Sequence, residues 1–284
     1  MVSKTLVELE NPILKFKKLG NILYIISGKE FVKVDCITGE VLQKAEPFFQ
    51  NNKTRDFVID KDAIYCRDFY RLYKIELETM EIIDRWELGS DLSSDVCALG
   101  YDETNIYVCI RNGGLSVIHK NSGEMKSYKI SESSIWDIIV GDYIYAGNVE
   151  GELLVIDKAD IKILKKKAVH KKNLKSLLPV GDVIYTASQD LSVAKVDTET
   201  LVIKDHRKRC HKKMFYFAGT WRDFLLTVCP PCGEMKLWNS SDLSLYKAMN
   251  RGTWDSFVEG DFLYEKIGNS IVATDLGEWI DWME

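Results

Sequence analysis

GDVIYTASQDLSVAKVDTETLVI, Gly181 to Ile203, reads as a series of short strands broken by turns. VIYTAS and VAKVD are rich in apolar and β-branched residues, QDLS and DTET supply turn formers, and a further apolar run begins at Leu201. The phrase recurs six more times. It appears as GNILYIISGKEFVKVDCITGEVL from Gly20, KDAIYCRDFYRLYKIELETMEII from Lys61, ETNIYVCIRNGGLSVIHKNSGEM from Glu103 and GDYIYAGNVEGELLVIDKADIKI from Gly141. WRDFLLTVCPPCGEMKLWNSSDLSL from Trp221 and GDFLYEKIGNSIVATDLGEW from Gly260 complete the set. Self-similarity at a fixed spacing is the mark of a repeat architecture.

The opening apolar pairs end at Tyr24, Tyr65, Tyr107, Tyr145, Tyr185, Leu226 and Tyr264, so successive copies lie 41, 42, 38, 40, 41 and 38 residues apart. A period near 40 is the length of a propeller blade. Helical repeats would place apolar residues every three or four positions, whereas ELLVID, LSVAKVD and EMKLWN are short β-type runs. A further strand precedes each anchor strand from the second copy on, in RDFVID, DVCALG, IWDIIV, LKSLLPV, MFYFAG and WDSFVEG. The chain is therefore predicted to be all-β, a single seven-bladed β-propeller over residues 1–284 with four antiparallel strands per blade. That arrangement leaves only short, protected edges. KTLVELE, Lys4 to Glu10, stands where the last blade lacks its outer strand, so the N-terminal strand is expected to close the ring. The competing reading gives that place to EWIDWME at 278–284.

With its lead-in, the fifth copy reads VHKKNLKSLLPVGDVIYTASQDLSVAKVD and resembles a tryptophan-aspartate (WD) repeat over its whole length. The resemblance implies a buried hydrogen-bonded set of His170, Thr186 and Asp190, with Val196 where the family has Trp. The sixth copy matches at His211, Thr227 and Trp238-Asn239 but lacks the Asp. Most other copies keep only the period and the apolar pattern. Turns such as DCITGE and DTET also resemble those of quinoprotein-type propellers, which would imply a pyrroloquinoline cofactor and an enzyme. The Trp that follows the Thr-Gly turn in those proteins is absent here.

Composition narrows the class. With 46% hydrophobic residues, 13 Tyr, 11 Phe, 7 Trp and only 5 Pro, the chain has the make-up of a globular protein and not of a disordered one. The first residues offer no apolar block of signal-peptide length, and no later run approaches a membrane span, so a cytoplasmic location is expected. Seven Cys, an odd number, read as reduced thiols and not as a disulfide framework.

Two surface features carry the functional expectations. The net charge is −5, yet Lys162 to Lys175, KILKKKAVHKKNLK, holds seven Lys and no acid, and Lys204 to Lys213, KDHRKRCHKK, holds six basic residues and one Asp. The segments carry +7 and +5, leaving −17 for the remainder. Lys165, Lys166, Lys167, Lys171, Lys172, Arg207, Lys208 and Arg209 are expected to form one basic rim on consecutive blades. Such a rim would attract an acidic protein or phosphates, or would serve only as solvated edge protection. No aromatics are interleaved to stack bases, which places nucleic acid behind an acidic protein.

The second feature is Cys210, His211, Cys229 and Cys232. CPPC has the spacing with which two thiolates reach one zinc, and Cys210-His211 would complete the site. A redox-labile thiol pair and inert turn residues are the alternatives.

Inner strands begin with Asp at Asp56, Asp95, Asp137 and Asp255, a repetition that points to a structural role in accepting N–H bonds from the neighbouring loop. Arg55, Arg67, Arg111, Trp136, Arg251 and Trp254 are residue types enriched in binding hot spots, and propeller geometry would gather them at the channel mouth. No nucleophile elbow, phosphate-binding loop or multi-His metal motif occurs. The expected function is thus a non-catalytic interaction scaffold without a resident cofactor, binding a protein partner through the channel mouth and the basic rim. The alternatives are a small-ligand binder or enzyme using the central channel, and a nucleic-acid-associated protein. No membrane association is expected, and the sequence leaves the oligomeric state open.

Overall fold

In the computed structural model, residues 2–45, 55–68, 70–89 and 96–282 are described. They form seven four-stranded antiparallel sheets. Blades 1 to 6 run from Ile13 to Ala45, Arg55 to Glu87, Val96 to Lys129, Ile135 to Ala168, Leu174 to Arg207 and Tyr216 to Met249, each with its strands in sequence order from the inner to the outer edge. Blade 7 takes Ser256–Glu259, Phe262–Ile267 and Ser270–Asp275, and its outer strand is Ser3–Glu8. Ser3 pairs with Thr274 and Thr5 with Val272. The N-terminal strand closes the ring, as its sequence predicts. The competing segment, 276–282, is a helix that buries Trp279 and Ile280 against Trp221, Leu226 and Met249.

Burial explains the strand patterns. Second strands are covered on both faces by neighbouring blades, so they are largely apolar: Val183–Ser188 is buried at every position, as is Ala63–Asp68 even at Arg67 and Asp68. Outer strands face solvent, and Lys162–Ala168 is exposed at every position. The cores lie between blades. Tyr185, Ala187, Phe217, Leu225 and Trp238, for example, pack blade 5 on blade 6.

The repeated Tyr also ties blades together. The Tyr185 hydroxyl donates to the Ser240 carbonyl of the next blade at 2.6 Å, and that of Tyr145 to the Thr198 carbonyl at 3.5 Å. Third-strand lysines make the same crossing: Lys33 to Leu77 O, Lys74 to Lys120 O and Lys195 to Ser240 O, at 3.2, 3.2 and 3.0 Å. Blades 1, 2, 4 and 5 thus satisfy carbonyls of the next blade's turn, which helps to fix the angle between them. Among the described residues no helix is long and apolar enough to cross a membrane.

Candidate functional site on the loop face

The antiparallel order puts the loop leading into each inner strand and the turn between its second and third strands on one face of the disc. In blade 5 they are joined through a buried histidine. His170 bonds Thr186 Oγ1 through Nε2 and Ser192 Oγ through Nδ1, both at 2.7 Å. Asp190 acts through Ser192: it accepts the Ser192 N–H and hydroxyl, and takes the Lys171 N–H at 2.8 Å. In blade 6, His211 bonds Thr227 Oγ1 and Glu234 Oε2, each at 2.8 Å, and Thr227 also accepts the Trp238 indole N–H at 2.7 Å. By strand register Glu234 stands where blade 5 has Ser192, and its carboxylate reaches the histidine directly without an Asp behind it. Burial holds both imidazoles down to about 4 despite the neighbouring Asp190 and Glu234, so they are neutral near pH 7.

The basic rim lies where these loops emerge. Lys162–Ala168 is the outer strand of blade 4 and Ile203–Arg207 that of blade 5. Lys166 pairs with Glu152 at 3.3 Å, Lys165 donates to Glu199 O at 2.6 Å, and Lys204 pairs with Asp197 at 2.8 Å. Lys167, Lys171, Lys172, Arg207, Lys208, Arg209, Lys212 and Lys213 are exposed and make no ion pair with a described residue.

The channel mouth is occupied differently from the sequence expectation. Asp137 accepts the Leu177 N–H and Asp255 the Phe16 N–H, each at 2.8 Å. The donors belong to the inner strand of the next blade, not to a loop. Ser176 makes the equivalent bond to Phe217 N–H at 3.4 Å in blade 5. Asp56 instead bonds its own strand at Phe57, and Asp95 lies outside the described residues.

Lys15 lies 2.5 Å from Asp255 and 3.9 Å from Asp56, and Lys17 is 3.8 Å from Asp56. Burial alone would lift the Asp56 carboxyl, but the two ammonium groups hold it at about 2. Asp137 makes no ion pair with a described residue, and burial, with the Asp56 charge added, pushes it up to about 7 against its two backbone bonds and the pull of Lys17.

Of the mouth residues, Arg67 is buried within a strand and donates to the Val96 carbonyl. The Trp136 ring lies under the Lys175 ammonium, 3.3 Å from its centre. Trp254 is 50% exposed. Arg111 is exposed in a turn whose carbonyl accepts the Ser134 hydroxyl. The Arg55 side chain lies outside the described residues. Arg251 points away from the channel, toward the closing strand.

No protein-family model matches the chain. A 63-residue stretch is 40% identical to Shk1 kinase-binding protein 15 of Schizosaccharomyces pombe, covering 22% of this chain and only 18% of that protein. Whole-chain similarity is to solved propellers. The structure of U3-55K superposes with a TM-score of 0.78 at 12% identity, covering 97% of this chain and 98% of that one. The RRP9 WD40 repeats give 0.78 at 12% identity, over 96% and 97%. The fold is that of the WD-repeat propellers.

Against the WD-repeat pattern, blade 7 shows a substitution that the sequence reading missed. Glu265 follows the anchor Tyr264 just as Thr186 follows Tyr185 and Thr227 follows Leu226. It is fully buried and pairs with Arg251 Nε at 2.5 Å. Arg251 Nη2 donates to Thr274 Oγ1 at 3.0 Å, and Nη1 to Ser3 Oγ of the closing strand at 3.5 Å. Its guanidinium lies 5.2 Å from the Trp279 ring centre. An ion pair thus stands in blade 7 where the WD-repeat pattern has His and Thr. The signal was the acidic residue directly after the anchor.

The WD-repeat topology does gather Cys210, Cys229 and Cys232 into one cluster beside His211. Both His211 nitrogens are engaged, Cys210 Sγ donates to Arg207 O at 3.3 Å, and Cys229 Sγ donates to Lys213 O at 3.6 Å. Among the described residues no group of three or more His, Cys, Asp or Glu is arranged to hold a metal ion. To bind zinc, the ring would have to give up Glu234 or Thr227.

Proposed function

We propose that this chain is a non-catalytic protein-binding platform whose loop face, over blades 4 to 6, docks an acidic segment of a partner. The observation that carries this is the run of eight exposed basic side chains without ion-pair partners among the described residues, set on rigid outer strands and histidine-pinned loops. Elsewhere in the structure cations are mostly spoken for, as in the Lys15, Lys120 and Arg251 pairs. A cluster of like charge in an otherwise acidic molecule repels itself, and a partner's carboxylates relieve that repulsion while steering the encounter. Half-exposed Trp254 offers an apolar anchor on the same face. The short stretch shared with a kinase-binding protein makes a protein kinase the first partner to test directly.

The test compares capture from native extract by the intact chain and by a variant with Lys165, Lys166, Lys167, Arg207, Lys208 and Arg209 changed to Glu. Both are first shown to be folded by circular dichroism, and nuclease-treated extract is run in parallel. Discrete proteins held only by the intact chain, released by moderate salt and unaffected by nuclease, support the proposal. Identical captures by both forms refute it, and captures abolished by nuclease assign the rim to nucleic acid instead.

A further inference from the structure

Cys229 and Cys232 flank two prolines in a tight turn, Pro230–Cys232, of 3-10 type. Cys229 caps this turn and Cys232 ends it, so the two thiols stand three residues apart across one tight turn, near enough for Cys232 to act on the ionisation of Cys229. Pro230 and Pro231 fix backbone angles, and Gly233 closes the turn in the left-handed conformation, its N–H bonding Pro230 O at 3.0 Å. Little conformational freedom is left to lose when the sulfurs join. Exposure is graded: Cys232 is half-buried and Cys229 wholly buried. Burial, with the Cys232 thiol beside it, pushes Cys229 up to about 11, so it keeps its proton at neutral pH. That proton is in use, since Cys229 donates it to Lys213 O while Cys210 donates to Arg207 O. The Cys229 thiol hydrogen thus ties the Lys213 end of the basic loop to the second strand of blade 6, while the Cys210 hydrogen closes a turn within the loop.

We propose that Cys229 and Cys232 form a reversible disulfide, a modification site that links oxidation to the order of the basic loop. The oxidant is a hydroperoxide. The Cys232 sulfur, as thiolate, attacks one peroxide oxygen, the O–O bond breaks, and the departing oxygen takes up a proton and leaves as water or alcohol. Cys232 is then a sulfenic acid. The Cys229 sulfur attacks the Cys232 sulfur, the S–O bond breaks, and hydroxide leaves as water with the Cys229 proton. Two thiols have lost two electrons and the peroxide has gained them. Cys229 no longer has a hydrogen to donate, so Lys213 O loses a tether, and a dithiol reductant restores it.

The experiment oxidises the purified full chain with graded hydrogen peroxide, blocks remaining thiols, and maps peptides by mass spectrometry, with limited trypsin digestion in parallel. A Cys229–Cys232 linkage lacking two hydrogens is expected before any other cysteine reacts, and dithiothreitol reverses it. Trypsin cleavage after Arg209, Lys212 and Lys213 is expected to rise about threefold, the size of losing one weak hydrogen bond. Cys232→Ser abolishes both effects, whereas Cys210→Ser leaves the linkage in place. Cys229 remaining free to alkylate while other cysteines oxidise overturns the site. Linkage without faster cleavage overturns its coupling to the loop. Neither readout involves a partner, so either failure is distinct from failure of the docking proposal.

Discussion

Replacing Arg251 with Met tests whether the closing blade depends on its buried ion pair. The change strands the Glu265 carboxylate, which is fully buried, with only a 3.4 Å contact from the Thr253 hydroxyl in support. Removing one member of a buried pair typically costs about 3–5 kcal/mol, and the 23% exposure of the Arg251 side chain argues for the lower end, about 3 kcal/mol. For a chain of this size that corresponds to a fall of roughly 6–12 °C in Tm. Replacing both residues with Met removes the stranded charge, so the double variant should recover about 2 kcal/mol relative to the sum of the single changes. The penalty also depends on pH. Burial already raises the Glu265 carboxyl, with Arg251 opposing, and without Arg251 it rises further. The folded variant then takes up a proton more readily than its unfolded chain, so the loss is full well above the ordinary carboxyl range and shrinks as pH falls. Calorimetry at pH 7.5 and pH 5 on wild type, R251M, E265M and R251M/E265M measures all of this. Strictly additive single changes, or a penalty independent of pH, would refute the ion-pair account. Partner capture by R251M at a temperature where it is folded should match wild type, because Arg251 is committed to closure.

Stability should also fall in mild acid through the two buried histidines. Their folded values near 4 lie below the ordinary value near 6.5, so the unfolded chain binds more protons between these limits. The contribution is complete above about pH 6.5 and is lost as pH falls toward 4, roughly 2 kcal/mol per histidine. Urea midpoints at pH 7.5, 6 and 5 check it, and unchanged midpoints in H170Q/H211Q relative to wild type across that range would sink it. Gly113→Ala should cost about 2–4 kcal/mol, because the residue has φ +84 and an added Cβ would stand 2.1 Å from the Ser131 carbonyl oxygen. Gly181→Ala, at φ +58 with open space around it, should cost only about 1 kcal/mol, and equal losses at the two positions in thermal melts would show that steric contact is not the cause.

The blade count, the strand order and the closing strand were legible because the anchor residues mark a repeated place in the architecture that demands a large side chain packed between blades, and at Tyr145 and Tyr185 a hydroxyl that reaches the next blade. The His170 set was reached through the resemblance of the fifth copy to a WD repeat, and the repeat alone put the two lysine-rich segments on adjacent outer strands. What the sequence concealed are positions where different chemistry fills one role. Leu9 and Ile25 in blade 1, and Ile130 and Ala146 in blade 4, meet that role with apolar packing. Blade 7 meets it with Arg251 and Glu265, and blade 6 completes its set with Glu234 at the place of Ser192. Arg67 looked like a mouth residue because arginines are seldom buried, yet a strand position covered on both faces took it inside. ILKFKKL reads as an ordinary alternating strand, and only the packing of blades 2 and 7 on either side of blade 1 sets the Lys15 and Lys17 ammonium groups beside Asp56 and Asp255.

Pairing Thr5 with Val272 also sets a schedule for biosynthesis. Those residues leave the ribosome some 267 positions apart (272 minus 5), which at typical elongation speeds is roughly 13–53 seconds. Through that interval Ser3–Glu8 has no sheet to join, while six blades are able to assemble behind it. The segment is then a loose, edge-competent strand on every nascent chain of a polysome, where a neighbour's half-built blade 7 would accept it as readily as its own. Translation rate and chaperone supply, more than the stability of the finished ring, would then govern the yield of closed monomers.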